Sequence, residues 1–366
     1  MKVPSQQIGI HRKDIDTPAL VIDLPAMEQN ITKMADFAKG QGIGLRPYIK
    51  THKSTILAHK QLAAGAIGIG CATMEEAEVM AASGIGDILI GNQIVGPVKM
   101  ARLMRLAQHT DIMVAVDDYQ NVSDLSAATQ TAGVKVRILV EVDVGAHRCG
   151  VKSGEAALQL AKHVDTVAGL ELCGFMGYES HLQLITEPEE RAAQVEKEVG
   201  LLVNTAKMAK SAGMRAEIVS AAGTLTYKET GKLPGITEIQ PGTYIFMDSR
   251  YYAKQTDFNR ALTVLATVIS HPVDNYIVVD AGSKALSQDG GMPEVKNLAG
   301  AQLARLWEEH GKIELADPIP ELKVGDKVEI FPSHVCTTVN LYGKFFAVRN
   351  DHVEAIWEIL TRGKLS

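Results

Sequence analysis

Residues 46–53 read Arg46-Pro47-Tyr48-Ile49-Lys50-Thr51-His52-Lys53 and follow directly on the apolar run that begins at Ile43. Side chains alternate along a strand, and the polar side chains that would then share one face are Arg46, Tyr48, Lys50 and His52. The interior of an α/β barrel normally takes branched apolar side chains, and polar groups there are costly unless they are paired or bind a ligand. The stretch therefore predicts a binding site at the end of a barrel strand or, equally well from the pattern alone, a solvated basic turn.

Lys50 has the most distinctive chemistry in this stretch. An α/β barrel carries its active site at the carboxyl ends of its strands, which is where Lys50 and His52 would lie. A lysine that is desolvated, or close to other cations, becomes a nucleophile toward carbonyl groups. Arg46, and His52 when it is protonated, would supply that neighbouring charge.

Eight short apolar runs alternate with segments of helical spacing over residues 25–250. Thr73 and Ser153 are predicted to cap two of the helices, and Gly84 and Gly133 stand where helices should end. Repeated strand–helix units imply parallel strands. The eight runs are Ile43–Ile49, Ile67–Ala72, Asp87–Gly91, Asp111–Val116, Val136–Val142, Leu172–Tyr178, Ala216–Ser220 and Ile239–Phe246.

Two folds are compatible with this alternation, a closed (β/α)8 barrel and an open doubly wound sheet. The barrel is favoured because no GxGxxG turn follows the first strand. We therefore predict an α/β protein with a TIM-like (β/α)8 barrel over residues 25–254.

The pattern changes after about residue 255. Helical signals become weak, and runs rich in Val, Ile and Phe predict strands. The early run Ala19–Ile22 precedes the first barrel helix and is expected to join them. A second, mostly β domain is predicted over residues 1–24 and 255–366. Its later strands are predicted at Ala261–Ser270, Tyr276–Asp280, Lys327–Phe331, Thr337–Leu341 and Phe345–Val348.

The composition argues against several classes of protein. Hydrophobic residues make up 46% of the 366 residues, and the formal net charge of −6 argues against a nucleic-acid partner. No apolar run predicts a transmembrane helix, and residues 1–12 are too polar for a signal peptide. The cysteines are scattered and form neither a zinc-finger spacing nor a disulfide framework. A cytoplasmic enzyme is expected.

Two glycine-containing turns follow the last predicted strands, at Ser220–Thr224 and Gln240–Tyr244. Such a turn before a helix can bind a phosphate, because free N–H groups and the helix dipole favour an anion. Barrels commonly place phosphate sites after strands seven and eight. Each turn by itself is explained at least as well by a simple reversal of the chain.

His334 and Cys336 stand two residues apart on a predicted passage from loop to strand. In an extended segment both side chains would point to one side, where one metal ion could bind both. Imidazole and thiolate suit zinc best. On spacing alone, a buried cysteine beside an unrelated histidine is the commoner explanation.

The sequence resembles the fold-type III pyridoxal phosphate enzymes, which include alanine racemase, and within them the D-threonine aldolase and D-serine dehydratase branch. The motifs that carry the resemblance are Asp16–Ala19, RPYIKTHKS at 46–54 and GCATMEEAE at 70–78. The resemblance implies that Lys50 carries pyridoxal 5′-phosphate as a Schiff base. The branch usually has a histidine where this chain has Tyr48.

The resemblance also implies further cofactor contacts. Arg148 matches an arginine near the cofactor's ring oxygen, and Tyr178 matches a tyrosine that faces the pyridine nitrogen. From the residues alone, Arg148 would instead pair with Asp143 or Glu141. The phosphate-binding residues that the resemblance implies are Gly223, Thr224, Gly242, Thr243 and Tyr244.

For the metal, the resemblance implies that His334 and Cys336 hold a divalent ion, either zinc or manganese or magnesium. The branch carries His-x-Asp or His-x-Cys at this place. Aldolase-like members often continue as residues 338–341 do, with Thr-Val-Asn-Leu, whereas the cysteine is familiar from the dehydratases. The chain mixes the two signatures. A homodimer is implied as well.

Several functions stay open at this level. The first hypothesis is retro-aldol cleavage of a D-3-hydroxy amino acid to glycine and an aldehyde, with Lys50 and His52 as catalytic residues. The second is dehydration of D-serine or 3-hydroxyaspartate to a keto acid and ammonia. A racemase is less favoured because racemisation needs no metal, and a pyridoxal phosphate carrier usually lacks a second domain. A cofactor-free Schiff-base aldolase would use the same lysine.

Overall fold

Contacts between residues divide the chain into two units. The computed structural model describes residues 7–319 and 321–366. The barrel unit comprises residues 33–50, 55–242 and 364–366, and the β-rich unit comprises the described residues within 1–32, 51–54 and 243–363. The domain limits given above, 25–254 and 1–24 with 255–366, stay a prediction. Residues 1–6, part of the segment predicted not to be a signal peptide, lie outside the described residues.

The β-rich unit is built on a sheet of nine strands. β1 pairs antiparallel with β11 and parallel with β17, so the early run Ala19–Ile22 lies among strands from the end of the chain. Apolar side chains on one face of these strands, including Val21, Leu265 and Phe346, pack into a buried cluster. The strands are β1 (Ala19–Asp23), β11 (Leu262–Val273), β12 (Tyr276–Val279), β13 (Glu294–Val295), β14 (Ala301–Leu306), β15 (Gly311–Leu315), β16 (Lys327–Phe331), β17 (Lys344–Arg349) and β18 (His352–Glu358), numbered in chain order through both units.

The barrel unit contains eight parallel strands that follow one another around the sheet. These are β2 (Gly44–Leu45), β3 (Ile69–Cys71), β4 (Asp87–Ile90), β5 (Asp111–Val116), β6 (Val136–Asp143), β8 (Leu170–Met176), β9 (Ile218–Ala221) and β10 (Glu238–Ile239), and the short β7 (Val151–Lys152) pairs with β6. The order is β2-β10-β9-β8-β6-β5-β4-β3. Beyond β2, Tyr48 forms a parallel bridge with Gly70, which joins the two end strands. The predicted (β/α)8 arrangement is confirmed.

Helices connect the barrel strands, and their ends follow the local sequence. The Thr73 side chain accepts the N–H of Glu76, and Gly133 ends a helix with φ +66°. Ser153 does not cap, because the helix that follows it begins one residue later behind Gly154, which has φ +77°. The helices are α1 (Leu24–Gln41), α2 (Thr55–Ala63), α3 (Met74–Ala82), α4 (Pro97–Ala107), α5 (Tyr119–Ala132), α6 (Glu155–Thr166), α7 (Pro188–Ser211), α8 (Tyr227–Gly231), α9 (Ser249–Tyr252) and α10 (Val335–Val339).

Three predicted strands are wrong in part or whole. The run Ile43–Ile49 is a strand only at Gly44–Leu45 and ends in a 3-10 helix at Ile49–Thr51. Proline at position 47 has no N–H to donate to a sheet, which limits strand pairing there. The run Ile239–Phe246 leaves the sheet after Ile239, and a 3-10 helix occupies Thr243–Ile245.

The third wrong prediction is the strand at Thr337–Leu341, which forms part of α10. Thr337, Thr338 and Val339 are β-branched and favour strands, but such preferences yield to tertiary contacts. The carboxylate of Asp248 accepts the N–H of Val335 at 3.2 Å, and Asp289 accepts the hydroxyl of Thr337 at 2.8 Å. These two carboxylates hold the segment in a helical turn.

Among the described residues, no helix is long and apolar enough to cross a bilayer.

Candidate active site

Lys50 lies on the 3-10 helix that follows β2, and its side chain is exposed. Its Nζ is 5.9 Å from the centre of the Tyr48 ring. The Tyr48 ring lies over Gly70 and Gly91, where β3 and β4 end, and a Cβ on Gly70 would come within 2.5 Å of it. Burial raises the pKa of Tyr48 far above its usual value. The strand alternation expected for residues 46–52 is wrong, because Arg46 is buried in ion pairs with Glu238 and Asp87.

Arg148 and Tyr178 lie together in the barrel unit. The guanidinium carbon of Arg148 is 5.3 Å from the centre of the Tyr178 ring. Its nearest carboxylate contact is long, 3.9 Å from Nη2 to Oε1 of Glu141, and the Arg148 side chain is 57% exposed. Asp143, the other partner considered, binds His147 instead at 2.7 Å. Arg148 therefore keeps much of its charge available for an anionic group.

Glu141 belongs to a polar cluster that sequence reasoning did not find. Its carboxylate lies within 4.8 Å of ligand atoms of Asp117 and Cys149. Burial raises the pKa of Glu141, and the side chain of Gln93 donates to it at 2.5 Å. The members come from different strands and loops, so no sequence spacing reveals the cluster.

Two residues that sequence reasoning also missed, Glu179 and Gln183, hold the turn Ser220–Thr224 and the residues after it through hydrogen bonds. Glu179 is fully buried and accepts hydroxyl hydrogen bonds from Thr226 at 2.8 Å and Thr230 at 2.6 Å. Gln183 is 1% exposed and accepts the N–H of Leu225 at 3.3 Å. The only sequence signal was the proximity of both residues to Tyr178.

The predicted phosphate-binding residues fall in both units. In the barrel unit, Thr224 is buried, and the N–H of Gly223 donates to the hydroxyl of Thr226 at 3.0 Å. Gly242 is the last barrel-unit residue before the β-rich unit resumes. Thr243 and Tyr244 are buried in the β-rich unit, on the 3-10 helix Thr243–Ile245.

His334 and Cys336 lie in the β-rich unit at the start of α10, where His334 is the N-cap residue. They are on a helical turn, so the expected extended geometry is wrong. Their side chains are nevertheless hydrogen-bonded to each other. This hydrogen bond and the contact with Asp289 raise the pKa of His334 to about 9, although burial alone would lower it. An imidazole nitrogen and a sulfur therefore lie side by side, and this donor pair suits zinc.

Asp289 and Thr51 contact this pair from other segments of the β-rich unit. Asp289 Oδ2 is 2.6 Å from His334 Nδ1. Burial would raise the pKa of Asp289, but hydrogen bonds from Ser287, His334 and Thr337 lower it to about 2. A carboxylate on one ring nitrogen orients the other for a metal. Thr51 Oγ1 is 3.3 Å from Cys336 Sγ, so the residue after Lys50 reaches the thiol.

His52, the second predicted catalytic residue, is fully buried in the β-rich unit. Its Nδ1 accepts the N–H of Ser54 at 3.1 Å. With Nδ1 accepting, a neutral His52 ring carries its proton on Nε2, which is then a hydrogen-bond donor.

Two known family models match the chain. The model of the alanine racemase N-terminal domain matches residues 22–250, and that of a serine dehydratase domain matches residues 261–348. The chain belongs to the alanine racemase-like family of fold-type III pyridoxal phosphate enzymes. The predicted family and fold class are confirmed, and the branch is that of the D-threonine aldolases and D-serine dehydratases.

Relatives within this branch match almost the whole chain. A 3-hydroxy-D-aspartate aldolase of Paracoccus denitrificans (strain Pd 1222) is 36% identical over 97% of this chain and 94% of its own. A D-threonine aldolase of Arthrobacter sp is 36% identical over 98% and 96%. The crystal structure of D-threonine aldolase from Filomicrobium marinum has a TM-score of 0.97 at 37% identity, covering 100% of both chains. The D-threo-3-hydroxyaspartate dehydratase of Delftia sp. (strain HT23) is 32% identical over 94% and 97%. As a member of this branch, the chain is a pyridoxal phosphate-dependent lyase.

The residues around Lys50 fit pyridoxal phosphate. The Lys50 amine is accessible, as a carbonyl-binding lysine must be, and the largely exposed Arg148 guanidinium is available to an anionic ring oxygen. The hydroxyl of Tyr178 lies within hydrogen-bond reach of Gln183, 2.6 Å away, beside the turn that Gln183 holds.

Proposed function

We propose that the protein is a pyridoxal phosphate- and divalent metal-dependent aldolase that cleaves D-3-hydroxy amino acids to glycine and an aldehyde. The observation that carries the proposal is the His334–Cys336 pair oriented by Asp289. It provides a metal site that a racemase does not need, in a chain 36% identical to two aldolases. Zinc is the proposed ion, with manganese or magnesium as alternatives.

Pyridoxal phosphate and the divalent metal ion have distinct parts in this proposal. Pyridoxal phosphate would be held by Lys50 and, once the substrate amine takes the place of the lysine, would withdraw electrons from the α-carbon of the substrate. A divalent ion held by His334 and Cys336 would lower the pKa of the substrate's 3-hydroxyl. The proposed assignment gives the cofactor to residues 25–254 and the metal to residues 1–24 with 255–366.

The chain's own residues bind the groups and move the protons. Lys50 Nζ delivers a proton to the α-carbon after the carbon–carbon bond breaks. His52 is the proposed acceptor of the hydroxyl proton, a role that requires the tautomer protonated on Nδ1, with the Ser54 hydrogen bond broken. Arg148 and Tyr178 orient the cofactor ring. The phosphate is assigned to Gly223, Thr224, Gly242, Thr243 and Tyr244.

A dehydratase acting on D-serine or 3-hydroxyaspartate is the second candidate, and one observation favours it. Solved variants of a D-threo-3-hydroxyaspartate dehydratase replace a histidine and a cysteine two positions apart, and the structure of the cysteine variant is described as metal-free. His334 and Cys336 have the same spacing. The two candidates share Lys50 and the metal pair and differ in which bond breaks.

A homodimer in the cytoplasm is proposed for either.

A product assay separates the candidates. Purified protein with added pyridoxal phosphate is incubated with D-threonine, D-3-hydroxyaspartate and D-serine, with and without a chelator and added zinc or manganese. We expect glycine and an aldehyde, lost with chelator and restored by metal. A keto acid with ammonia would instead establish the dehydratase, and no turnover of any substrate would contradict both.

Lys50→Ala tests the cofactor lysine. We expect loss of the visible absorption of the bound cofactor and a fall in activity of about 10³-fold or more, because the variant has no amine to bind the carbonyl. Lys39→Ala, at an exposed position on α1, is the matched control and should leave both unchanged. A Lys50→Ala protein that retained absorption and activity would place the cofactor on another residue.

A further inference from the structure

Gln183 links the Tyr178 hydroxyl to the turn after β9. It is 1% exposed and lies on the 3-10 helix Ser180–Leu184, just beyond β8. One end of its side-chain amide is 3.3 Å from the backbone nitrogen of Leu225, and the other end is 2.6 Å from Oη of Tyr178. The amide therefore bridges two groups with different hydrogen-bonding capacities.

The Leu225 contact fixes which way the amide points. A backbone N–H can only donate, so the amide atom facing Leu225 is the oxygen, Oε1. The atom facing Tyr178 is then the NH₂ group, which can only donate. The Tyr178 oxygen must accept that hydrogen bond, and its own proton has to be donated in another direction.

The surroundings of Gln183 leave its amide little freedom to reverse. A Cβ on Gly223 would lie 2.5 Å from both terminal amide atoms, so the amide packs directly against that glycine. Glu179 holds the same turn through the N–H of Ala222 at 3.3 Å and the hydroxyl of Thr226 at 2.8 Å. The Arg148 guanidinium lies 5.3 Å from the Tyr178 ring centre, where a cation–π contact helps to hold the ring in place.

We propose that Gln183 is a positioning residue that makes Tyr178 a hydrogen-bond donor toward the pyridine nitrogen of the bound cofactor. The inference rests on the proposed function, in which Tyr178 contacts that ring. A nitrogen that accepts a hydrogen bond from a neutral phenol carries no proton of its own. The ring would then withdraw electrons less strongly than a protonated pyridine does. The reaction would therefore depend more on the divalent ion at the substrate hydroxyl.

The test uses the full-length protein loaded with pyridoxal phosphate labelled with ¹⁵N at the ring nitrogen, observed by NMR. Wild type should show the resonance of an unprotonated pyridine. In Gln183→Glu, the carboxylate oxygen facing Tyr178 can only accept, so the phenol proton turns toward Glu and the phenol oxygen becomes an acceptor. We expect the nitrogen to become protonated and its resonance to move upfield. Gln130→Glu on the outside of α5 makes the same chemical change elsewhere and should leave the resonance unmoved.

The outcomes separate this inference from the proposed function. A wild-type protein that binds no cofactor, seen as absent visible absorption, overturns both. A wild type that binds cofactor with a protonated ring nitrogen overturns the inference alone, and this measurement holds even where Gln183→Glu does not fold. A folded, loaded Gln183→Glu protein with the wild-type resonance also overturns the inference.

Discussion

Asp289 determines how His334 presents its ring. Its carboxylate lies 2.6 Å from Nδ1 and is itself held by the hydroxyls of Ser287, at 2.6 Å, and Thr337, at 2.8 Å. With Nδ1 occupied by an acceptor, the nitrogen left for a metal is Nε2. One carboxylate 45 residues away along the chain thus gives the His-x-Cys motif its geometry.

Asp289→Asn should weaken metal binding by about 10- to 100-fold, because the ring loses its charged acceptor and its fixed orientation. Competition between the protein and a coloured zinc chelator measures the affinity directly. Asp274→Asn, in the exposed turn between β11 and β12, is the control and should bind zinc as wild type does. Unchanged affinity in Asp289→Asn would mean that His334 is not a ligand through Nε2.

The sequence, together with its family resemblance, was sufficient to propose Lys50, His334 and Cys336 as site residues, but it did not reveal their neighbours. Reactive residue types and a two-residue spacing are local features that can be read along the chain. The contacts of Asp289 with His334 and of Gln183 with Leu225 join residues 45 and 42 positions apart. Such contacts exist only once the chain has folded.

At the scale of elements, β8 depends on a glycine in its middle. Gly174 has φ +150°, and the register between β6 and β8 shifts beside it. A Cβ at this position would collide with the backbone of Ile218 on β9. The strand can therefore pack between its two neighbours only without a side chain there.

Gly174→Ala should destabilise the protein by about 3–5 kcal/mol, because it combines a strained backbone with a collision against a rigid neighbour. Urea unfolding followed by circular dichroism measures the change. Gly200 is the matched control, since it lies within α7 with open space around its Cβ position. Gly200→Ala should stabilise by about 0.5–1 kcal/mol. Equal effects of the two substitutions would contradict the assigned role of Gly174.

The elements differ in how well the sequence predicted them. The long barrel strands, such as β5 at Asp111–Val116, have the predicted limits because burial on both faces gives a continuous apolar run. The segments around Lys50 and Cys336 were wrongly predicted as strands. Near Lys50 a proline determines the backbone conformation, and near Cys336 two carboxylate contacts do. Side-chain alternation does not determine it in either segment.

At the scale of the whole barrel unit, a buried ion network joins strands that are far apart in sequence. Arg46 is 1% exposed and pairs with Glu238 at 3.1 Å and with Asp87 at 2.8 Å. Asp87 also binds Arg137 at 2.8 Å. Burial would raise the pKa of Asp87, but its ion pairs with Arg46 and Arg137 outweigh that effect and lower it.

Asp87→Asn should cost about 1–3 kcal/mol at pH 7, because Arg46 and Arg137 each lose a charged partner. The folded pKa of Asp87 lies below its unfolded value of about 4. Its stabilisation is therefore complete above that pH and is lost as the pH falls through the folded pKa. Thermal melts from pH 7 to pH 2.5 should show a shallower acid decline in Asp87→Asn than in wild type. Asp165→Asn, exposed on α6, should keep the wild-type slope, and parallel curves for all three proteins would refute the network's acid dependence.

By itself, the sequence determined the barrel and the mostly β second sheet and offered the lysine and the His-x-Cys pair as candidates, since periodicity and reactive residue types are properties of short segments. Only the tertiary structure decided that residues 46–52 leave the strand, that Arg46 faces acidic partners, and that Gln183 and Asp289 orient Tyr178 and His334. These contacts depend on hydrogen bonds between residues that are distant along the chain. A local pattern reports which side chains one element buries, and it carries no information about which distant group lies opposite.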